Sequence, residues 1–454
     1  MASAAEQLAR NFDLSTLTKA TELHKRLWFT VGALVVYRLG TYIPVPGVQP
    51  EVFAQAFQSQ AGGMLGMINT FSGGAVQRMA IFALNVMPYI TASIVMQIMS
   101  ATLPSLERLK KEGEAGRKQI NQYTRYLTVL LATVQAFAIA RGLEATTATI
   151  GGFTQSAVIN PGFTFQFTAV ITLVGGTMFL MWLGEQITAR GVGNGISLII
   201  FAGIVAELPR AIVQALALSR EQANWSLPFV IAAIAAGVIV FVVFIERSQR
   251  RLLVQYPKRQ VGNRMFGGQN SFLPLKINTA GVIPPIFASS LLIMPATLAG
   301  FQAQAGDGVF GRALGTMTAV LGRGQPLYMA LYAALIIFFC FFYTSIVFNP
   351  EDTADNLKKH GGFLPGIRPG KNTASYLDYV LTRLTVIGAA YLTFVCLLPE
   401  FIISRSNIPF YIGGTSLLIV VSVTMDTVSQ IQSHLLAHQY EGLIKKTKLR
   451  GRKR

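Results

Sequence analysis

Ten apolar stretches divide the chain, each bounded by proline, glycine or charged residues: 27–43, 79–101, 123–140, 164–184, 194–213, 227–245, 278–299, 326–348, 377–399 and 411–433. A helix needs about 20 predominantly apolar residues to cross the hydrocarbon core of a bilayer. The pattern therefore predicts an all-α polytopic membrane protein with ten transmembrane helices. Several spans are interrupted, by Pro88, by Pro284-Pro285 and by the glycines of "RGVGNGIS". In lipid such breaks are tolerated where other helices or a water-filled cavity satisfy the freed backbone groups. One apolar segment, "MLGMINTF" at 64–71, is far too short to span, and Gly73-Gly74 separates it from span two. On pattern alone it is an interfacial loop or a helix that folds back into the protein. Ten spans divide into five plus five. Duplicated halves of five would be inverted relative to each other, with a pathway at their interface, although no sequence repeat supports the duplication.

Composition strengthens the membrane reading. The chain is 52% hydrophobic and only 13% charged, against roughly 25% charged in soluble domains. The net charge of +18 would suggest nucleic acid if it were spread evenly, but it is not. With the N-terminus cytoplasmic, the segments on that side hold 29 Lys and Arg and the segments on the other side hold seven. Positive charge concentrates on the cytoplasmic side of membrane proteins, so both termini are expected there. Cys340 and Cys396 lie inside apolar runs, which gives neither a disulfide framework nor a thiolate metal site. The polar N-terminus has no signal-peptide core and is expected to remain on the mature protein.

The chain thus reads as a cytoplasmic segment 1–26, a first five-helix half 27–213, a second half 214–433 and a basic cytoplasmic tail 434–454. Two cytoplasmic loops are long. Loop 246–277 alternates apolar and polar residues around Leu252–Tyr256, which predicts a projecting β-hairpin. Loop 349–376 has turn signals at Gly361-Gly362, Pro365-Gly366 and Pro369-Gly370. Their Arg and Lys either only satisfy the charge rule or dock a large partner. Ionisable residues within spans are few: Arg38, Asp378, Arg383 and Asp426. Arg383 and Asp426 lie at similar depth in neighbouring spans and are expected to form a structural ion pair. Arg38 is expected to snorkel to the outer interface. Enzyme signals are weak. "GVGNG" lacks a strand–turn–helix setting, and His434 with His438 lacks a third ligand. No catalytic residue, metal site or cofactor is expected. A secondary transporter for a small solute is the rival class.

Longer motifs then converge. "IPVPGV", "FSGGAVQRMAIFALNVMPYITASI", "KKEGEAGRKQINQYTRY", "GEQITARGVGNGISLIIFAGI", "LPLKINTAGVIPPIFASS", "GIRPGKNTASYLDYVLTRLT" and "YIGGTSLLIVVSVTMD" resemble, in order, the SecY family of bacterial protein-translocation channels. The resemblance implies two inverted five-helix halves around an hourglass pore, with a lateral gate between spans two and seven that spans three and eight flank. It implies that about 63–74 is a plug, carrying Met64, Met67, Ile68, Phe71, Gly73 and Gly74. Above the plug's seat it implies an aliphatic pore ring of Val86, Ile90, Ile196, Ile200, Ile286 and Ile419. Val86 departs from the isoleucine usual in bacterial members. The implied partners are SecE, SecG, and the SecA ATPase or a ribosome on Arg250, Arg251, Lys258, Arg259 and Arg368. Signal sequences, nascent or preprotein chains and the phospholipid bilayer complete the set, with no nucleic acid contact beyond the ribosome. The implied location is the bacterial inner membrane.

Overall fold

The computed structural model describes residues 21–58, 64–150, 153–221, 227–256, 259–261, 264–266, 270–302, 325–406 and 413–451. In chain order the helices are α1 (Thr21–Gly40), α2 (Pro50–Gln58), α3 (Met64–Phe71), α4 (Met87–Thr102), α5 (Pro104–Lys111), α6 (Glu114–Ala145), α7 (Phe163–Arg190), α8 (Gly195–Glu221), α9 (Leu227–Arg247), α10 (Ile283–Gln302), α11 (Pro326–Val347), α12 (Pro350–Lys359), α13 (Lys371–Ser406) and α14 (Gly414–Gly451). Each of the ten apolar stretches forms one of them: α1, α4, α6 to α11, α13 and α14. Among the described residues six helices are long and apolar enough to cross a membrane alone, and α4 with α5 makes a seventh candidate bent by 96°. Helices α1, α9 and α10, of 20, 21 and 20 residues, complete the ten.

Span two departs from the pattern. Its helix starts at Met87, and residues 72–86 form consecutive turns despite their apolar character. The leader's backbone groups pair elsewhere: the Val45 amide donates to the Met79 carbonyl and the Ile81 amide to the Ile43 carbonyl, both at 2.9 Å. Two non-glycine residues there are left-handed, Met79 at φ 45° and Asn85 at φ 51°. Pro88 consequently sits in the first turn of α4 rather than interrupting a span. There its missing N–H would have had no helical partner. Pro284-Pro285 occupies the equivalent place in α10.

One hydrophobic core runs through the helices, from Tyr37 and Phe82 to Leu392 and Leu418. Helix α10 packs on α4 and α6, while α14 packs on α1, α8 and α9. The short helix α3 lies against both α8 and α10.

A short hairpin of β1 (Thr147–Ile150) and β2 (Phe153–Ser156) lies between α6 and α7, and between α9 and α10, β3 (Gln249–Gln255) and β6 (Asn270–Lys276) pair antiparallel from Gln249↔Lys276 to Gln255↔Asn270. A smaller hairpin, β4 (Arg259–Val261) with β5 (Arg264–Phe266), extends it. The expected hairpin is therefore present. It also carries the second loop: the Gln255 and Phe363 amides each donate to the other's carbonyl, at 2.9 and 3.0 Å. Leu252, Val254, Leu275, Leu364, Leu377 and Leu381 form a separate core beneath them.

Arg383 and Asp426 do not form the expected ion pair. The Arg383 guanidinium lies 4.7 Å from the Tyr379 ring centre, one turn away on its own helix. Both charges occupy exposed faces, whereas α13 and α14 meet where Gly414 lies against Val395 and Cys396. The ring supplies a cation–π partner that needs no second helix.

Candidate functional site

The plug segment expected from the sequence is α3 and the turn after it. Ile68 and Phe71 are buried. Gly63 and the side chains of Met64 and Met67 lie outside the described residues. Gly73 and Gly74 adopt φ of 65° and 82°, a conformation that costs glycine little. A helix leaves its last carbonyls without partners inside the helix. Here three successive carbonyls from the end of α3 onward are capped by side chains from other elements. Asn85 Nδ2 donates to the Phe71 carbonyl at 2.7 Å, and the Tyr37 hydroxyl donates to the Ser72 carbonyl at 3.2 Å. The Gly73 carbonyl accepts from Arg38 Nη1 at 2.6 Å and from Arg78 Nη2 at 2.9 Å. Two cations thus sit at the negative end of the plug's helix dipole. Arg38 is therefore a plug contact and does not merely snorkel. The Tyr42 ring lies against both guanidinium groups, 4.9 Å from that of Arg38 and 4.2 Å from that of Arg78.

Beside the plug is a narrow constriction with a free volume of about 10 Å³. Phe71 lines it together with Ile90 of α4, Ile200 of α8, Ile286 of α10 and Ile419 of α14. Four helices thus bring four of the six expected ring residues to one point against the plug. The other two lie elsewhere. Val86 is fully buried as the residue preceding α4, with φ −93° and ψ 9°. Its i, i+4 relation to Ile90 therefore does not place both on one continuous helix face. Ile196 lies in the first turn of α8 and packs toward α7, where a Cβ on Gly184 would stand 3.0 Å from its Cγ1.

The constriction also holds three polar residues that the spacing argument missed: Asn85, Ser289 and Ser290. A lone asparagine inside "IFALNVMPYI" was the available signal. Small-residue contact completes the seat. A Cβ on Gly73 would come 3.0 Å from Gly203 Cα, so the plug's end lies directly on the α8 backbone. Of the expected docking residues, Arg250, Arg251 and Arg368 are exposed on the paired loops. Lys258 and the side chain of Arg259 lie outside the described residues.

Comparison with known proteins places this geometry in context. The chain is 54% identical over 431 residues to the protein translocase subunit SecY of Escherichia coli strain K12, which covers 95% of this chain and 96% of that protein. A solved SecY structure, in which the plug domain stabilizes the closed state of the translocation channel and maintains a membrane seal, superposes with a TM-score of 0.67. It shares 18% identity and covers 92% of both chains. Sec61 in the canine ribosome–channel complex superposes with a TM-score of 0.61 at 19% identity, covering 92% of this chain and 93% of that one. The SecY family model matches residues 80–428, and the chain belongs to the SecY family.

Proposed function

We propose that the protein is the passive protein-conducting channel of a bacterial translocase. It carries unfolded secretory chains across the inner membrane and releases transmembrane segments sideways between α4 and α10, with α6 and α11 beside that gate. It performs no chemical step, so partners supply the driving force. The observation that carries this reading is a plug helix end seated on a ring of aliphatic side chains drawn from four helices. The four aliphatic side chains narrow this waist to a free volume of about 10 Å³, too little for an ion to pass with its hydration shell. The aliphatic members touch a sliding peptide only through dispersion, about 0.1–0.2 kcal/mol per atom pair, and so grip no passenger residue strongly. A solute transporter would instead place coordinating groups near the midplane.

The remaining assignments follow from the same reading. SecE clamps the back of the two inverted halves and SecG lies at the periphery. SecA or a ribosome docks on the paired cytoplasmic loops, as the likeness to a ribosome-bound channel supports. The 29 to seven split of Lys and Arg supports cytoplasmic termini. The test is Ile419→Asn and, separately, Ile286→Asn. Each puts an amide into the waist and should raise resting ion conductance of the purified complex. Each should also admit a reporter with a defective signal sequence. Unchanged conductance and export in both variants would show that these residues do not line the pore.

A further inference from the structure

Asn85 is 1% exposed and uses only half of its amide. Its Nδ2 holds the Phe71 carbonyl at 2.7 Å, while its Oδ1 has no hydrogen-bond partner among the described residues. Ser290 of α10 is 2% exposed, and its Oγ likewise has no partner among the described residues. The adjacent Ser289 differs, because its hydroxyl bonds back to the Ile286 carbonyl at 2.9 Å. Asn85 Oδ1 and Ser290 Oγ belong to residues that line the same constriction of about 10 Å³. A polar cavity of about 10–15 Å³ is the least that holds one water, and such a water needs at least two polar partners. Leaving both atoms unsatisfied would carry the desolvation penalty of two buried polar groups.

We infer that the constriction binds a single water between Asn85 and Ser290, and that Asn85 is thereby a latch joining the plug to the gate helix α10. The water donates to Asn85 Oδ1 and exchanges its second hydrogen bond with the Ser290 hydroxyl. On its other side Asn85 holds the plug. Movement of α10 strips the water, leaves Asn85 half-satisfied and loosens the plug, and departure of the plug loosens α10 to the same degree. This rests on the reading of the site as a plugged pore.

The backbone at Asn85 decides which variant tests it. Its φ of 51° strains alanine but not glycine, so Asn85→Gly removes the side chain alone. Ser290→Ala removes one atom and leaves α10 intact. In single-channel recordings of the purified complex, Asn85→Gly should raise resting open probability about fivefold, the value of one ordinary hydrogen bond. Ser290→Ala should raise it about two- to threefold. The double variant should match Asn85→Gly within a factor of about two, because both changes empty one shared site. A double effect equal to the product of the single effects overturns the shared water. Wild-type open probability in Asn85→Gly overturns the latch. Ile419→Asn is recorded alongside: if it conducts while Asn85→Gly stays closed, the latch alone is wrong. If neither conducts, the pore assignment itself fails.

Discussion

Gly203 shows how little room the seat has. A Cβ there would run into the Phe71 carbonyl oxygen and stand 3.0 Å from the Tyr37 hydroxyl. Retreat of either atom would break a hydrogen bond, since Asn85 holds the first and the second is bonded to the Ser72 carbonyl. Overpacking a tight contact costs about 1–3 kcal/mol. The plug is the element that can yield, because it is short and its end is held by side chains from other elements. Gly203→Ala is therefore expected to raise resting conductance while the rest of the bundle stays assembled. Conductance of the variant complex checks this, and a thermal melt separates an unseated plug from a damaged fold. A sealed channel with a normal melt would mean that the plug accommodates the methyl group.

At the scale of the element, the proposed plug is expected to seal the pore without bracing the helices. Helix α3 is eight residues long, and deleting 64–70 removes no backbone hydrogen bond from within any span. The expected outcome is an assembled complex that leaks ions when idle, checked by recovery of the intact complex and by its conductance. Loss of the complex would make α3 a strut instead. The sequence located this element well, because an apolar run too short to span and ending near paired glycines has few places to go. It located the ten helices for the same reason. It misplaced the start of span two, because apolar character reports burial and not where backbone groups pair. Residues 72–86 are as apolar as a helix, yet their amides and carbonyls are used by turns and by residues 43–45. The same cause leaves Val86 outside the lining of the constriction, since it precedes α4 with non-helical φ and ψ. The side-chain caps on the plug were not legible at all. Arg38, Tyr37 and Asn85 reach carbonyls 35, 35 and 14 residues away, and no periodicity encodes such a contact.

Across the whole molecule, the hairpin and the gate are one continuous piece of chain. Strand β3 leaves α9, β6 returns at Lys276, and α10 begins at Ile283. The junction is fastened: Asn278 Nδ2 donates to Glu246 Oε1 at 2.6 Å and to the Gly281 carbonyl at 3.0 Å. The second loop is bound to the same hairpin through Gln255 and Phe363 and shares its apolar core with α13. A partner gripping either loop therefore holds a small packed body that runs directly into the gate helix, rather than a loose tether. Under the proposed function this connectivity would couple the pore to the docking face. Arg368 is exposed on this body, and only its backbone is anchored, by the Thr373 hydroxyl at 3.0 Å. Reversing its charge should change stability by no more than about 0.5 kcal/mol, as for most surface positions. A charge-paired contact with a partner would lose far more. Arg368→Glu is accordingly expected to insert and melt like the unaltered protein, to keep its resting conductance, and to lose translocation together with binding of the ATPase or the ribosome. Binding measured on membranes carrying the variant decides the matter. Normal affinity for both partners would move the docking site off this loop and leave Arg250 and Arg251 on the hairpin as the exposed alternative.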